Sequence, residues 1–402
     1  MPKLTYGLEL FPPSTAERLK ARYNDVLRIA SGAFRSSPVI SLCVEAGVLP
    51  FEHFIAANTV SKATTIEEKF PNNRNPLADE ARQQFRDITK EDLPKTKKLH
   101  YLGDREWSSA AQKIIFPQLK REDPALKCQQ IAHEIANRYR NQQQIYTDGS
   151  LADETVGIGI YTNDFQHAYQ LPTQCSIFTA EAAALAIAGH FANQKAVVFT
   201  DSKSVLMNLQ SGKSKHPFIQ AAQKTSVEKQ LTLCWIPGHK GIVGNDRADK
   251  LANRGRTSER YCTDIPKADI KRWVNTKLHD SFYDEWFRKA AWKEKALRHV
   301  KYNVSKWTDR PDRREQRALT RLRIGHTNLT HRHLMSREEP PVCETCNEPL
   351  TVRHMIIDCR KYDEPRTRLG IGPTLFTALA NNEEEEEKIL AFLRECHIFD
   401  QI

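Results

Sequence analysis

The 402-residue chain has no run of about eighteen apolar residues, the length a membrane-crossing helix needs, so no membrane partner is expected. Its N-terminus lacks the basic, apolar and small-residue succession of a secretory signal. The expected setting is therefore inside the cell, in nucleus or cytoplasm, and not secreted. A disulfide framework is missing too, because the nine cysteines are mostly scattered, a usage that suits a reducing compartment. No two aspartates are adjacent anywhere, which excludes every chemistry built on an Asp-Asp dipeptide.

What is present describes a globular protein with room for two or three domains, 40% hydrophobic and 27% charged. The formal net charge is +10 and the pI about 9.1, a balance that attracts polyanions, nucleic acid above all. A solvated basic surface with no partner would give the same totals. The positive residues crowd between Lys293 and Arg337, including Arg310, Arg313, Arg314, Arg317, Arg321 and Arg323, with Trp292, Tyr302 and Trp307 interleaved. That mixture favours nucleic acid as a partner. No oligomeric state can be read from it.

Residues 14–32 read as a helix capped by Ser14 or Thr15, with Leu19, Tyr23, Val26, Leu27 and Ala30 on its apolar stripe. Helical patterns also cover 38–44 and 51–65. From 71 to 127 Asn-Asn, Pro and Lys-rich segments break any period, which predicts a poorly structured connection with one short helix near 108–115. Between 144 and 254 strands alternate with helices in the order β-β-β-α-β-α-α-β-α. The strands lie within 144–171, then at 196–200 and 231–236, and an Ala- and Leu-rich helix covers 179–191. The expected fold class is α/β: a five-stranded mixed sheet, its first three strands antiparallel, with helices on both faces and helical regions on either side. Beyond 257 the pattern is helical again. Trp273, Leu278, Phe282, Trp286 and Phe287 mark an apolar face over 265–296, and an acidic run at 383–387 opens a last helix.

Four carboxylates stand at element ends or starts. Asp148 closes the first strand, Glu181 lies in the first turn of the helix at 179, Asp201 ends the fourth strand, and Asp249 sits one turn into the last helix of the α/β region. If the first and fourth strands are parallel neighbours, Asp148 and Asp201 come side by side at the carboxyl edge of the sheet. Such a pair repels unless protonated or bridged by a cation, and oxygen-only donors favour Mg2+ or Mn2+ over zinc. Two such ions about 4 Å apart activate water against a phosphodiester.

Residues 144–254 closely resemble the type 1 ribonuclease H domain, through Tyr-Thr-Asp148-Gly-Ser, Thr179-Ala-Glu181-Ala, Phe-Thr-Asp201-Ser, Trp-Ile-Pro-Gly-His239 and Gly244-Asn245-Asp246-Arg-Ala-Asp249. The resemblance implies cleavage of the RNA strand of an RNA–DNA hybrid with two Mg2+ ions held by Asp148, Glu181, Asp201 and Asp249. It implies that His239 assists proton transfer or product release. It also implies that Gly149, Ser150 and Asn245 meet the substrate, Asn245 near the 2′-hydroxyls that distinguish RNA from DNA. Asp246, acidic in some relatives, stays outside the four ligands. The chain leaves little room before the strand at 231 for the extra basic helix of bacterial-type relatives, so hybrid binding would draw on flanking basic segments. A non-catalytic nucleic-acid-binding remnant and a strand-transferring relative of the same fold are the alternatives. The fourth carboxylate and the His239 loop favour the nuclease over the latter.

The flanks resemble the C-terminal part of insect-type non-LTR retrotransposon polyproteins, through residues 26–38 and 44–50 and through Arg321-Leu-Arg-Ile-Gly-His326-Thr-Asn-Leu-Thr-His331 with the Pro-Pro-Val-Cys343 that follows. The missing Asp-Asp pair implies that the reverse-transcriptase core is absent and that the chain is a fragment or short derivative. Cys343-x2-Cys346-x7-His354-x4-Cys359 offers three thiolates and an imidazole, enough for a closed structural Zn2+ site, with a reduced, metal-free hairpin as the alternative. The expected organisation is a helical remnant over 1–70, a connection over 71–143, the ribonuclease H domain over 144–256, a basic helical region over 257–335, a zinc knuckle over 336–362 and a helical tail over 363–402.

Overall fold

The computed structural model describes residues 13–70, 75–94, 113–288, 296–302, 304 and 310–402. Outside them lie Trp292, Lys293, Trp307, residues 108–112 of the expected short helix, and residues 289–295 of the helix expected to reach 296. The capping side chains of Ser14 and Thr15 are outside them as well. The chain forms two compact units, one of Met1–Val60, Asp79–Glu91 and Asn275–Ile402, the other of Ser61–Ala78 and Asp92–Val274. Four helices come first: α1 (Pro13–Ser31), α2 (Val39–Ala46), α3 (Phe51–Lys69) and α4 (Pro76–Thr89).

The second unit holds the sheet. Strand β1 (Lys113–Ile115) and helix α5 (Ala125–Arg138) precede the meander β2 (Gln144–Ala152), β3 (Thr155–Tyr161) and β4 (Gln166–Leu171). Then follow α6 (Ile177–Phe191), β5 (Val197–Thr200), α7 (Lys203–Gln210), α8 (Pro217–Glu228), β6 (Thr232–Trp235) and α9 (Val243–Gly255). The strand order is β1-β6-β5-β2-β3-β4. β2–β3 and β3–β4 are antiparallel, and the remaining pairs are parallel.

The expected α/β class and mixed sheet are present, with one strand more than expected. β1 lies in the stretch read as a connection and pairs Ile115 with Cys234. Where a short helix was expected up to 115, its described end is extended instead. Three residues carry no readable period, and only the neighbouring β6 makes them a strand. The same stretch also contains α4 and α5. All four residues of β5 are buried, as a parallel strand covered on both faces requires.

Alternation along β2 and β3 places the helices. Gly149 pairs with Ile158 and Asp148 with Gly159, so the two members of each pair share a face. A Cβ on Gly149 would lie 2.9 Å from Ala180 Cβ of α6, whereas one on Gly159 would lie 2.2 Å from the Ala248 carbonyl of α9. Helices α6 and α9 therefore cover opposite faces, and α9 approaches β3 this closely because Gly159 has no side chain. α5 joins the α9 side, where Ala132 and Ile135 pack with Val197, Phe199, Cys234, Ile236 and Ile242.

Helix α10 (Lys267–Arg288) spans the division of the chain at residue 274. After it, the first unit continues with α11 (Arg313–Ile324), α12 (Asn328–His331), α13 (His333–Ser336), a single π-helical turn at His354–Asp358, α14 (Asp363–Arg368), α15 (Leu375–Ala378) and α16 (Glu383–Glu395). Its core includes Leu42, Phe85, Phe282, Trp286, Leu319, Leu322 and Phe392.

Part of the arginine run turns to internal partners, while Arg313, Arg314 and Arg317 remain exposed. Arg323 is buried against Glu386 at 2.8 Å and Glu45 at 3.8 Å. Arg310 pairs with Glu315 at 2.9 Å and also with Glu387, and Arg314 pairs with Asp400. Arg321 donates to the carbonyls of Gly32 and Ile402, and Arg313 to that of Ile29. Part of the acidic run at 383–387 thus serves as internal counter-charge, beyond favouring the start of α16. Burying Arg323 without a carboxylate would leave a desolvated charge, which is why Glu386 is buried with it.

Candidate active site and metal-ligand clusters

Thr147 of β2 is in register with Thr200 of β5, so the next residue on each strand brings Asp148 and Asp201 to one edge. Helix α6 starts at Ile177, two residues earlier than expected, because the Ser176 hydroxyl accepts the Thr179 N–H at 3.2 Å. Glu181 consequently sits one turn in, and its carboxylate joins the two aspartates. One oxygen from each of Asp148, Glu181 and Asp201 lies within 4.8 Å of the others. Asp249 stands beside this trio on α9, close enough for its charge to act on Asp148. Asp148 and Glu181 are buried, while Asp201 and Asp249 are half-buried.

The loop 237–241 closes one side. A Cβ on Gly238 would fall 2.2 Å from Asp201 Oδ2, so only glycine allows the backbone so close to that carboxylate. His239 follows, solvent-exposed and with φ of 55°. Asn245 is buried, and its Nδ2 donates to Asp201 Oδ2 at 3.4 Å while its Oδ1 has no partner. Ser150 Oγ donates to Asn253 Oδ1 at 2.9 Å, and Asn253 Nδ2 donates to Asp249 Oδ1 at 3.0 Å. Asn253 thereby orients the fourth carboxylate. Sequence reasoning missed it, although its i+4 offset from Asp249 on a helix was a usable signal.

Crowding shows in the proton affinities. Burial, followed by the charges of Asp201 and Asp249, pushes the Asp148 carboxyl up to about 8. Burial and then Asp148 and Asp201 hold Glu181 well above the carboxylate range. Asp201 is raised by burial, with Asn245 and His239 pulling the other way. Glu181 Oε2 is buried without any hydrogen-bond partner. Like charges gathered in a dry pocket with an unmet oxygen fit a hard divalent cation, which supplies the charge these groups lack.

Residues 140–257 match the RNase H family model. The chain carries an RNase H domain. All the residues expected in its site belong to this segment, and Asp148, Glu181, Asp201, Asp249, His239 and Asn245 converge at one edge of its sheet. Gly149 lies against the start of α6, and Ser150 reaches the site through Asn253. The RNase H domain is a nucleic-acid-cleaving hydrolase module, and nucleic acid is its substrate class.

A second cluster lies outside the RNase H domain. Cys343, Cys346, His354 and Cys359 each offer a ligand atom, all within 4.8 Å of one another. The Cys343 and Cys359 sulfurs are 3.7 Å apart and those of Cys346 and Cys359 4.0 Å. Sulfurs at two corners of a tetrahedron with Zn–S near 2.3 Å would be about 3.8 Å apart, so the spacing suits zinc and is far too long for a disulfide. Both ring nitrogens of buried His354 lack a partner in hydrogen-bond geometry, with Glu348 Oε2 at 3.5 Å from Nδ1. The imidazole is nonetheless close enough to be the main influence pulling the Cys343 thiol down to about 6, while burial pushes Cys359 up to about 11. Of the other cysteines, Cys43, Cys128, Cys175 and Cys234 are buried, as expected of core residues.

Proposed function

We propose that the chain hydrolyses the RNA strand of RNA–DNA hybrids, with Asp148, Glu181, Asp201 and Asp249 holding Mg2+ or Mn2+. The observation that carries this reading is the meeting of the Asp148, Glu181 and Asp201 carboxylates within 4.8 Å at the β2–β5 edge of an RNase H domain. When bound, the divalent ions supply an activated water and charge for the departing oxygen. The protein's own groups prepare the place for them. Asn245 and Asn253 fix the rotation of the Asp201 and Asp249 carboxylates. Exposed His239, next to the glycine that touches Asp201, is placed to exchange a proton with solvent as product leaves.

The test is metal-dependent cleavage of a labelled RNA–DNA hybrid, with duplex DNA and duplex RNA as controls, repeated on a folded Asp148→Asn variant. Cleavage of the hybrid alone, lost in the variant, supports the reading. Hybrid that is bound but left intact by the wild-type chain would instead support the non-catalytic remnant. We also infer that Cys343, Cys346, His354 and Cys359 bind a structural Zn2+, supported by the sulfur spacing. The flanking sequence motifs support an origin in the C-terminal part of a non-LTR retrotransposon polyprotein.

A further inference from the structure

The 237–241 loop crosses from β6 to α9 without support from its own backbone. Among the described residues, 237–241 make no backbone–backbone hydrogen bond. The loop nevertheless holds His239 at φ 55° and Gly241 at 71°. A left-handed backbone at a residue other than glycine is unfavourable and persists only where its surroundings impose it.

What imposes it comes from chain preceding the segment that matches the RNase H family. Gln129 of α5 donates its Nε2–H to the Lys240 carbonyl at 2.8 Å. The Lys240 ammonium donates to the Asp123 carbonyl at 3.0 Å. Asp123 is itself fixed, because Oδ2 accepts the Lys120 N–H at 2.7 Å and Oδ1 pairs with Lys127 at 3.0 Å. A Cβ on Gly241 would stand 2.6 Å from Gln129 Nε2, so the close approach needs glycine there as much as the dihedral does. The residues at the two ends of the loop, Ile236 and Ile242, share a buried cluster with Ala132 and Ile135 of α5. Asp123, Gln129, Ala132 and Ile135 all precede residue 140, where the family match begins.

We propose that Gln129 is a positioning residue for His239: its amide, seconded by the Asp123 carbonyl, keeps the loop in the conformation that holds the imidazole on the Asp201 side of the carboxylate cluster. The proposal rests on the hydrolytic reading of that cluster. Loss of the tether frees the loop without touching the carboxylates, so turnover falls while substrate binding holds.

Gln129→Met keeps the length of the side chain and removes the donor. The expected result is a kcat lower by about tenfold with KM changed by less than about twofold, and about tenfold faster hydrogen exchange confined to peptides covering 237–241. Gln129→Lys, which restores a donor of similar reach, should recover most of both losses. In a His239→Ala background, Gln129→Met should cost nothing further in kcat, because a tether that acts through the imidazole has nothing left to position. Unchanged exchange in the loop, or an equal fall in kcat with and without His239, would overturn the proposal. If the wild-type chain cleaves no hybrid, the hydrolytic reading fails by itself, and the exchange comparison still decides whether Gln129 holds the loop.

Discussion

The chain gathers donor atoms twice, by opposite routes. The carboxylates come from β2, α6, the end of β5 and α9, elements that meet only once the sheet and its helices have packed. The thiols and the imidazole lie within residues 343–359, around a short bridge between Val342 and Pro349 and a single π-helical turn. A finished core thus imposes the first cluster and is strained by it, since buried like charges raise one another's proton affinity. The second cluster is drawn from one short segment, with buried Val352, Met355 and Ile356 beside it, so a metal there would help to organise the segment that binds it. On the zinc reading proposed above, one site is made by the fold and the other helps to make a piece of it.

The largest expected effect tests the first half of that contrast. Asp148→Asn should lower hybrid cleavage by about 10^3-fold or more while circular dichroism stays as in the wild type and the sheet amides exchange no faster. Residual activity within about tenfold of wild type would show that the cluster is not the reaction centre. For the second half, Cys359→Ser should release the bound zinc, read as metal stoichiometry, and expose 341–362 to protease. Hybrid cleavage should stay within about threefold, because the RNase H domain has its own core. If 341–362 stays protected without metal, the segment folds by itself and the contrast collapses.

A smaller effect concerns pH. Between the ordinary carboxylate range near 4 and about 8, folded Asp148 keeps a proton that the unfolded chain has released. The folded state therefore binds more protons across that window, and metal-free stability falls as pH rises through it, levelling off above about 8. Asp148→Asn, which cannot ionise, should make the metal-free protein about 1–2 kcal/mol more stable at neutral pH, measured by denaturant unfolding. Divalent cations should flatten the wild-type slope, and a slope of opposite sign would mean the cluster is not strained. The smallest effect is that of Asn253→Ala, which leaves Asp249 in place but unoriented and should cost about three- to tenfold in kcat.

Much of the RNase H domain could be read from residues alone. The β2–β4 meander alternates, α6 declares itself by its alanines, and Asp148 and Asp201 meet because their strands are the parallel neighbours the argument required. Other features escaped. β1 has no signal of its own, since three residues become a strand only by lying beside β6. α5 carries its apolar residues Cys128, Ala132 and Ile135 at helical spacing, but Pro- and Lys-rich neighbours hide the pattern. The arginines of 310–323 look alike in composition whether they face a polyanion or internal carboxylates, and only the structure shows Arg323 against Glu45 and Glu386, far away in the chain. Pairings of that kind are properties of the tertiary structure and leave no local trace.

The short strand β1 has one more consequence, for solubility. It occupies the outer rim of β6, a fully buried Thr-Leu-Cys-Trp strand whose backbone groups would otherwise point outwards unpaired. A chain trimmed to the residues that match the RNase H family, 140–257, would present that rim bare. Apolar and unpaired, it would be a template for a second chain to add its own strand, and such trimming would favour aggregation that β1 blocks at this rim.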